Sequence, residues 1–323
     1  MGNMLVNTRD QKFVLYEQIG VEKLFETEKY ADYNRETVDM MLNEAEKLAV
    51  EVLLPTYDKG DKEGCKLEKG RVKVPACFHA AYKKFCEGGW LNCMRSVESG
   101  GQGMPNSVAQ GCYEFFQAAN YPLIMYPGLT NGAAGLIDRY GTAEQKKKYM
   151  ERMYTGEWGG TMCLTEPGAG SDVGSLKTTA RRLPDGTYSI QGTKIFISSG
   201  DHDLTPNNIH TVLARVEGDL AGTRGISIFV VPKFRVKADG SLGPNNDVTT
   251  GGIEHKMGIK GSATAAFEHA VEYAKQRLQG AEIFEFKNPE APQVPIIRHA
   301  DIRRQLLWMK SHVEGCRTLL YYT

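Results

Sequence analysis

With 323 residues, of which 41% are hydrophobic and 24% charged, the chain has room for about two domains and a sizeable buried core. That composition belongs with soluble globular proteins and excludes a small stapled module or a disordered chain. Lys+Arg and Asp+Glu both number 39, so no surplus positive charge is available for a nucleic-acid backbone or an anionic membrane, and no apolar run reaches the roughly 18 residues of a membrane-spanning helix.

Seven cysteines, Cys65, Cys77, Cys86, Cys93, Cys112, Cys163 and Cys316, form an odd set without a C-x-x-C pair. This points to free thiols in a reducing compartment and away from disulfides or zinc. The Met1 to Val6 start has no basic stretch followed by a long apolar run, so no secretory leader is expected. A cytoplasmic location follows. His202, His210, His255 and His299 stand at no metal-ligand spacing from a Cys, Asp or Glu, and no metal site is expected.

Along the chain, apolar residues at Val38, Met41, Leu42, Ala45, Leu48, Ala49, Val52 and Leu53 form a helical stripe that Pro55 is expected to close. Asp58 to Lys73 reads as an exposed connector, and Val74 to Trp90 as a helix ending at Gly88-Gly89. Ser99 to Pro105, with three glycines and a proline, must be a loop. Ser107 to Ala119 and Asn131 to Tyr140 are helical again, and Thr142 with Gln145 has capping-box spacing ahead of a Lys-rich helix to Tyr154. Near Trp158 the texture changes. Thr187 to Ile190, Lys194 to Ile197, Thr211 to Val216 and Gly225 to Val231 are short β-rich runs, too closely spaced for helical crossovers, which predicts an antiparallel β-domain. Beyond Ala266 the helical period returns, with Phe267, Val271, Ala274 and Leu278 on one face and a second stretch from Ile297 to Tyr322.

The most informative segment is Met162-Cys163-Leu164-Thr165-Glu166-Pro167-Gly168-Ala169-Gly170-Ser171-Asp172. An apolar strand runs into a glycine-bearing turn whose backbone N–H groups, with the hydroxyls of Thr165 and Ser171, can point at one spot. It is not the dinucleotide fingerprint, since the next glycine, Gly174, falls at the wrong offset. On spacing alone, a ligand-binding turn and an ordinary tight turn are both open.

Together with Lys194-Ile195-Phe196-Ile197-Ser198-Ser199-Gly200 downstream and Gly141 to Tyr149 upstream, this segment resembles the flavin-binding core of the acyl-CoA dehydrogenases. Three motifs stand in family order within an α, β, α texture. The extension from Asp10 to Tyr33 and the run Pro295 to Arg304 are most similar to the branch of 3-methylmercaptopropionyl-CoA dehydrogenases. The resemblance implies an α+β fold: a helical extension over residues 1–35, an N-terminal helical domain over 36–156, a central antiparallel β-domain over 157–265, and the start of a C-terminal helical domain over 266–323. It also implies bound FAD. Met162, Leu164 and Thr165 would line the isoalloxazine, Gly170 and Ser171 would face the pyrophosphate, Phe196 would stand against the ring and Ser198 would donate toward N5. Arg277, with Gln279 close by, matches an arginine that contacts FAD across a subunit interface, which implies a homo-oligomer.

The implied reaction removes an α-proton from an acyl-CoA with a carboxylate base while the β-hydrogen leaves as hydride, the electrons passing to an electron-transfer flavoprotein. No residue of this chain matches that base. One family position lies in a turn expected beyond Thr323, and Glu314-Gly315-Cys316 reads as a helix face instead. The other lies on a helix that the chain skips near Ala265, where Glu254 to Thr264 resembles the end of the β-domain and Ala266 to Val271 already resembles a later helix. An omitted stretch there is expected. Two rival readings are an acyl-CoA oxidase, with O₂ as acceptor, and a non-catalytic relative that binds flavin or a partner.

Overall fold

The structure is a computed structural model that describes residues 5–253 and 294–308. Helix α1 (Thr8–Lys12) begins at Asn7, whose side chain accepts from the Asp10 amide, and short turns of wide or tight helix follow to Tyr30. Asn34 caps α2 (Arg35–Leu48) by accepting from the Thr37 amide at 2.9 Å. The stripe is right, but Pro55 does not close the helix. After one wide turn over Ala49–Leu53, α3 runs from Leu54 to Glu63 with Pro55 in its first turn, where a missing amide hydrogen removes no helical bond.

The expected connector after Asp58 is therefore part helix and part hairpin. Strands β1 (Lys66–Glu68) and β2 (Arg71–Lys73) pair antiparallel across Lys69-Gly70, both at positive φ as a two-residue hairpin turn requires. Helix α4 (Ala76–Glu87) stops at Gly88-Gly89 as the sequence indicates. The span α5 (Asn106–Tyr140) holds two helical segments separated by a non-helical Asn120 (φ −158°, ψ 78°), so the first ends where Ser107 to Ala119 is expected to end and the second, carrying Pro122 and Pro127, starts well ahead of the expected Asn131. The Thr142–Gln145 capping box is present and opens α6 (Ala143–Gln145), then a wide turn and α7 (Glu151–Tyr154). Strands β3 (Gly159–Cys163), β4 (Thr179–Arg182), β5 (Tyr188–Gln191), β6 (Asn208–Val216), β7 (Ile226–Pro232), β8 (Phe234–Val236) and β9 (Leu242–Asn245) follow. Residues 300–308 are helical again. The expected helix around Phe267, the junction at Ala265, and the stretch from Met309 onward lie outside the described residues.

The described residues divide into two compact units, one built from the chain up to Glu51 with Pro105–Tyr121 and residues 294–308, the other from Val52–Met104 with residues 122–253. In the first, Leu15, Val38, Leu42, Val108, Cys112, Phe115 and Phe116 are buried. Gly111 lets α5 come close to Leu42 and Leu15, and the Gln11 side chain donates to the Gly111 carbonyl at 3.0 Å. In the second unit the core is Phe78, Phe85, Leu91, Leu123, Ile137, Met153, Trp158 and Ile209. Trp158, at the change from helix to sheet, is buried.

Strand β6 organises the sheet. It pairs with β7 along Ile209 to Arg215, with β3 at Asn208 to Val212 and with β4 at Arg215 and Val216. Both β3 and β4 run parallel to β6, while β5 and β7 are antiparallel to their partners, so the sheet is mixed where an antiparallel one is expected. The 44 residues of chain between β3 and β6, which hold the β4–β5 hairpin, are long enough to return the chain for parallel entry without a helix.

Strand β3 enters through two glycines under tight constraint. Gly160 donates to Thr130 Oγ1 at 3.0 Å and leaves no room for a side chain against Met153. Gly159 faces the buried His202 ring and Asn208, and a Cβ there would lie 2.6 Å from His202 Nε2. We therefore expect Gly159→Ala to cost about 1–3 kcal/mol through overpacking. A thermal midpoint equal to that of the unsubstituted chain would contradict this packing.

Candidate functional site

The alternation of β3 decides what faces out. Thr161 and Cys163 are buried and Met162 between them is 46% exposed. On the inner side Thr161 Oγ1 lies 2.7 Å from His210 Nδ1, and Cys163 Sγ lies 3.9 Å from the same nitrogen. Burial drives the Cys163 thiol up and the His210 imidazole down to about 4, so this cluster is neutral. Beside it His202, edge-on to Tyr126 at 5.0 Å, is held by burial at about 3.

Beyond Cys163 the chain turns at Pro167-Gly168, closed by Glu166 N–H to the Ala169 carbonyl and Ala169 N–H to the Glu166 carbonyl, both 3.1 Å. Gly168 and Gly170 are exposed, neither is at positive φ, and open space lies where a Cβ would stand. Their use is thus to leave the backbone uncovered. Ser171 follows on this exposed stretch, while Leu164 and Thr165 are half-buried.

Glu166 turns the other way. Its carboxylate is buried and accepts from the Lys177 amide at 2.6 Å, the Thr178 amide at 3.1 Å, the Thr178 hydroxyl, and Lys194 Nζ at 2.8 Å. Lys194 Nζ also donates to the Leu164 carbonyl at 2.9 Å, and the Ile195 amide donates to the Thr165 carbonyl at 2.9 Å. Desolvation pushes the Glu166 carboxyl up, but these donors outweigh it and hold it at about 2. Both charged residues sit inside the two motif segments, Glu166 in the glycine turn and Lys194 at the start of the downstream run. Opposite charges flanking two segments that must meet were the available signal.

Lys194 to Ile197 is not the strand its β-rich composition indicates. Its main chain is tied to the turn at Ile195 only, and Phe196 adopts φ +56°, a left-handed conformation that costs a bulky residue about 1–2 kcal/mol. The Phe196 ring is 64% exposed. Among the described residues no hydrogen bond engages the side chains of Thr165, Ser171 or Ser198. The structure therefore brings Leu164 and Thr165 against the segment that carries Phe196 and Ser198, with Gly170 and Ser171 on the adjoining turn. Arg277 and Gln279 lie outside the described residues. Uncovered glycine backbone, unused hydroxyls and a flat apolar ring are the donor set and wall that a phosphate-bearing aromatic group needs.

Comparison with known proteins adds a family to this geometry. Residues 35–157 match the model for the acyl-CoA dehydrogenase N-terminal domain and residues 161–270 that for the middle domain. A butyryl-CoA dehydrogenase of Syntrophomonas wolfei is 37% identical over 377 residues, covering 99% of this chain and 61% of that protein. The alignment is longer than the 323-residue chain, so the relative carries residues within the aligned span that this chain lacks. The 3-methylmercaptopropionyl-CoA dehydrogenase of Ruegeria pomeroyi is 34% identical over 91% of this chain and 57% of its own length. A solved acyl-CoA dehydrogenase complexed with FAD from Bacillus anthracis superposes with a TM-score of 0.59 at 25% identity, over 90% of this chain and 51% of that one. The chain thus spans about three-fifths of the length of the curated relatives it matches.

The charges around the turn set a pH dependence. His202 and His210 stay neutral when folded but take up a proton near 6.5 when unfolded, so the unfolded chain binds more protons as the pH falls from 6.5 toward about 4 and about 3. Glu166 adds a loss below 4.5 that runs down to about 2. All three signs agree: stability falls on acidification, by up to about 1.4 kcal/mol per pH unit for each group in its window. Urea midpoints taken from about pH 7 to pH 4.5 should fall steadily, and a flat profile would contradict the neutral burial of the two histidines.

Proposed function

The chain belongs to the acyl-CoA dehydrogenase family, whose members are oxidoreductases, and we propose that it binds FAD non-covalently and serves the α,β-dehydrogenation of an acyl-CoA thioester with electrons passed to an electron-transfer flavoprotein. The observation that carries this reading is the junction of the two motif segments through Lys194 and Ile195, which gathers uncovered backbone, free hydroxyls and an exposed ring. In it Met162, Leu164 and Thr165 hold the ring system, Phe196 packs against it, Ser198 donates to it, and Gly170 and Ser171 receive the pyrophosphate. When bound, FAD supplies the hydride acceptor.

The chain's own residues bind and orient; the α-proton needs a separate carboxylate. Glu166 is not that base. Four donors hold it ionised at about 2, far below the poise a general base requires. On this reading the base is supplied by the stretch skipped near Ala265 or by the family turn expected beyond Thr323. The same reading assigns Arg277 and Gln279 to FAD contact from a neighbouring copy, so the working form is a homo-oligomer, and it divides the chain near residues 35, 156 and 265.

Titrating the purified chain with FAD should give a yellow, non-covalent complex, and Phe196→Ala should weaken it by about tenfold through loss of the aromatic contact. A colourless chain that takes up no FAD overturns the reading. Anaerobic bleaching of the flavin band by butyryl-CoA tests the reaction itself. Sedimentation of the flavin complex as a monomer overturns the oligomer.

A further inference from the structure

The stretch from Lys194 to Asp201 contains no helix or strand, yet it holds two non-glycine residues in the left-handed region, Phe196 at φ +56° and Ser199 at φ +54°. Such conformations persist only where the surroundings over-determine them. Backbone bonding is sparse here: the Ile195 amide donates to the Thr165 carbonyl, and the Gly200 amide closes a turn on the Ile197 carbonyl at 3.0 Å. The two ends are held differently.

At the first end stands the Glu166–Lys194 pair, with the two side chains 6% and 10% exposed. At the second, Asp201 Oδ1 accepts from Lys233 Nζ at 2.6 Å with both side chains almost wholly withdrawn from solvent, and Asp201 Oδ2 accepts from the Val72 amide and the Thr250 hydroxyl, each at 3.0 Å. Surface pairs would hold little, whereas buried pairs whose remaining lone pairs are also hydrogen-bonded fix one geometry. Lys233 continues directly from β7 and Glu166 leaves β3, so both anchors are fastened to the sheet.

We propose that Glu166, Lys194, Asp201 and Lys233 are positioning residues for the flavin: two buried ion pairs pin both ends of the 194–201 arch and hold it preformed, with the Phe196 ring outward, before any ligand arrives. The proposal rests on the flavin reading above. Preorganisation of this kind strengthens binding by removing the ordering cost that a slack loop would incur.

The test uses the full chain and two readouts, FAD affinity from quenching of free flavin fluorescence and hydrogen exchange of the flavin-free protein. Lys194→Met alone leaves Glu166 buried and unpaired, so the informative variant is Glu166→Gln with Lys194→Met, which removes both charges and keeps one side-chain oxygen to accept from the Thr178 amide and hydroxyl. Asp201→Asn with Lys233→Met does the same at the far end. We expect each double variant to keep the slow exchange of β6, to lose protection at Ile195 and Gly200, and to bind FAD about tenfold or more weakly. Unchanged affinity in both variants of a wild-type chain that binds FAD overturns the positioning role alone. Loss of β6 protection together with the arch overturns it as well, since the pairs would then serve only the sheet. A wild-type chain that takes up no FAD is the failure of the flavin reading, and the positioning role falls with it.

Discussion

A carboxylate removed from water must find donors for its lone pairs or give up its charge, and Glu166 finds four. That constraint arranges the turn. Because the Lys177 and Thr178 amides and the Lys194 ammonium must all reach one side chain, the chain after Ser171 has to curl back under the turn and the chain after β5 has to rise beside it. Such a pair adds little net stability over a well-packed apolar pair, but losing one partner costs about 3–5 kcal/mol. Its value is conformational: a slack turn and a slack arch become one surface.

The sequence made the regular parts legible and left the exceptions hidden for identifiable reasons. The stripe at Val38, Leu42 and Ala45, the Thr142–Gln145 box and the glycine turn after Met162 carry local signals, and each appears where it was read. Pro55 misled because a proline has opposite meanings inside a helix and in its first turn, and only the wide turn before it separates the two. Asn120 to Thr130 was passed over because two prolines weigh against a helix that tertiary packing nonetheless sustains. The hairpin at Lys66 to Lys73 is almost entirely exposed, so it lacks the apolar alternation that announces a strand.

The sheet and the arch show a different limit. Whether β3 runs parallel or antiparallel to β6 depends on a pairing across more than forty residues, which no local pattern encodes. Lys194-Ile195-Phe196-Ile197 has the composition of a strand, and its ladder bonds are replaced by one side chain, Lys194, bonding to a carbonyl and a carboxylate. Propensity lost there to a long-range ion pair. Departures of this sort concentrate where a chain is shaped for a ligand, because a site needs backbone that is left unpaired and side chains that are left uncovered.

The distribution of charge then separates binding from chemistry. Around the turn the buried ionisable groups are engaged or neutral: Glu166 with Lys194, Asp201 with Lys233, and the two buried histidines uncharged. The groups offered to a ring and its phosphates are uncharged: hydroxyls, glycine backbone, a thioether and a phenyl ring, with the exposed Asp172 at the edge of the turn held by the Ser175 hydroxyl. A surface of this kind can orient a polar aromatic group and accept its phosphates through backbone N–H groups, but it has no group poised to take a proton. Proton transfer therefore has to be brought to this surface by another element, and the sheet's part is rigidity. By using its buried charges to fix its own geometry, this half of the site keeps the bound group still while the reacting carbon is presented from elsewhere.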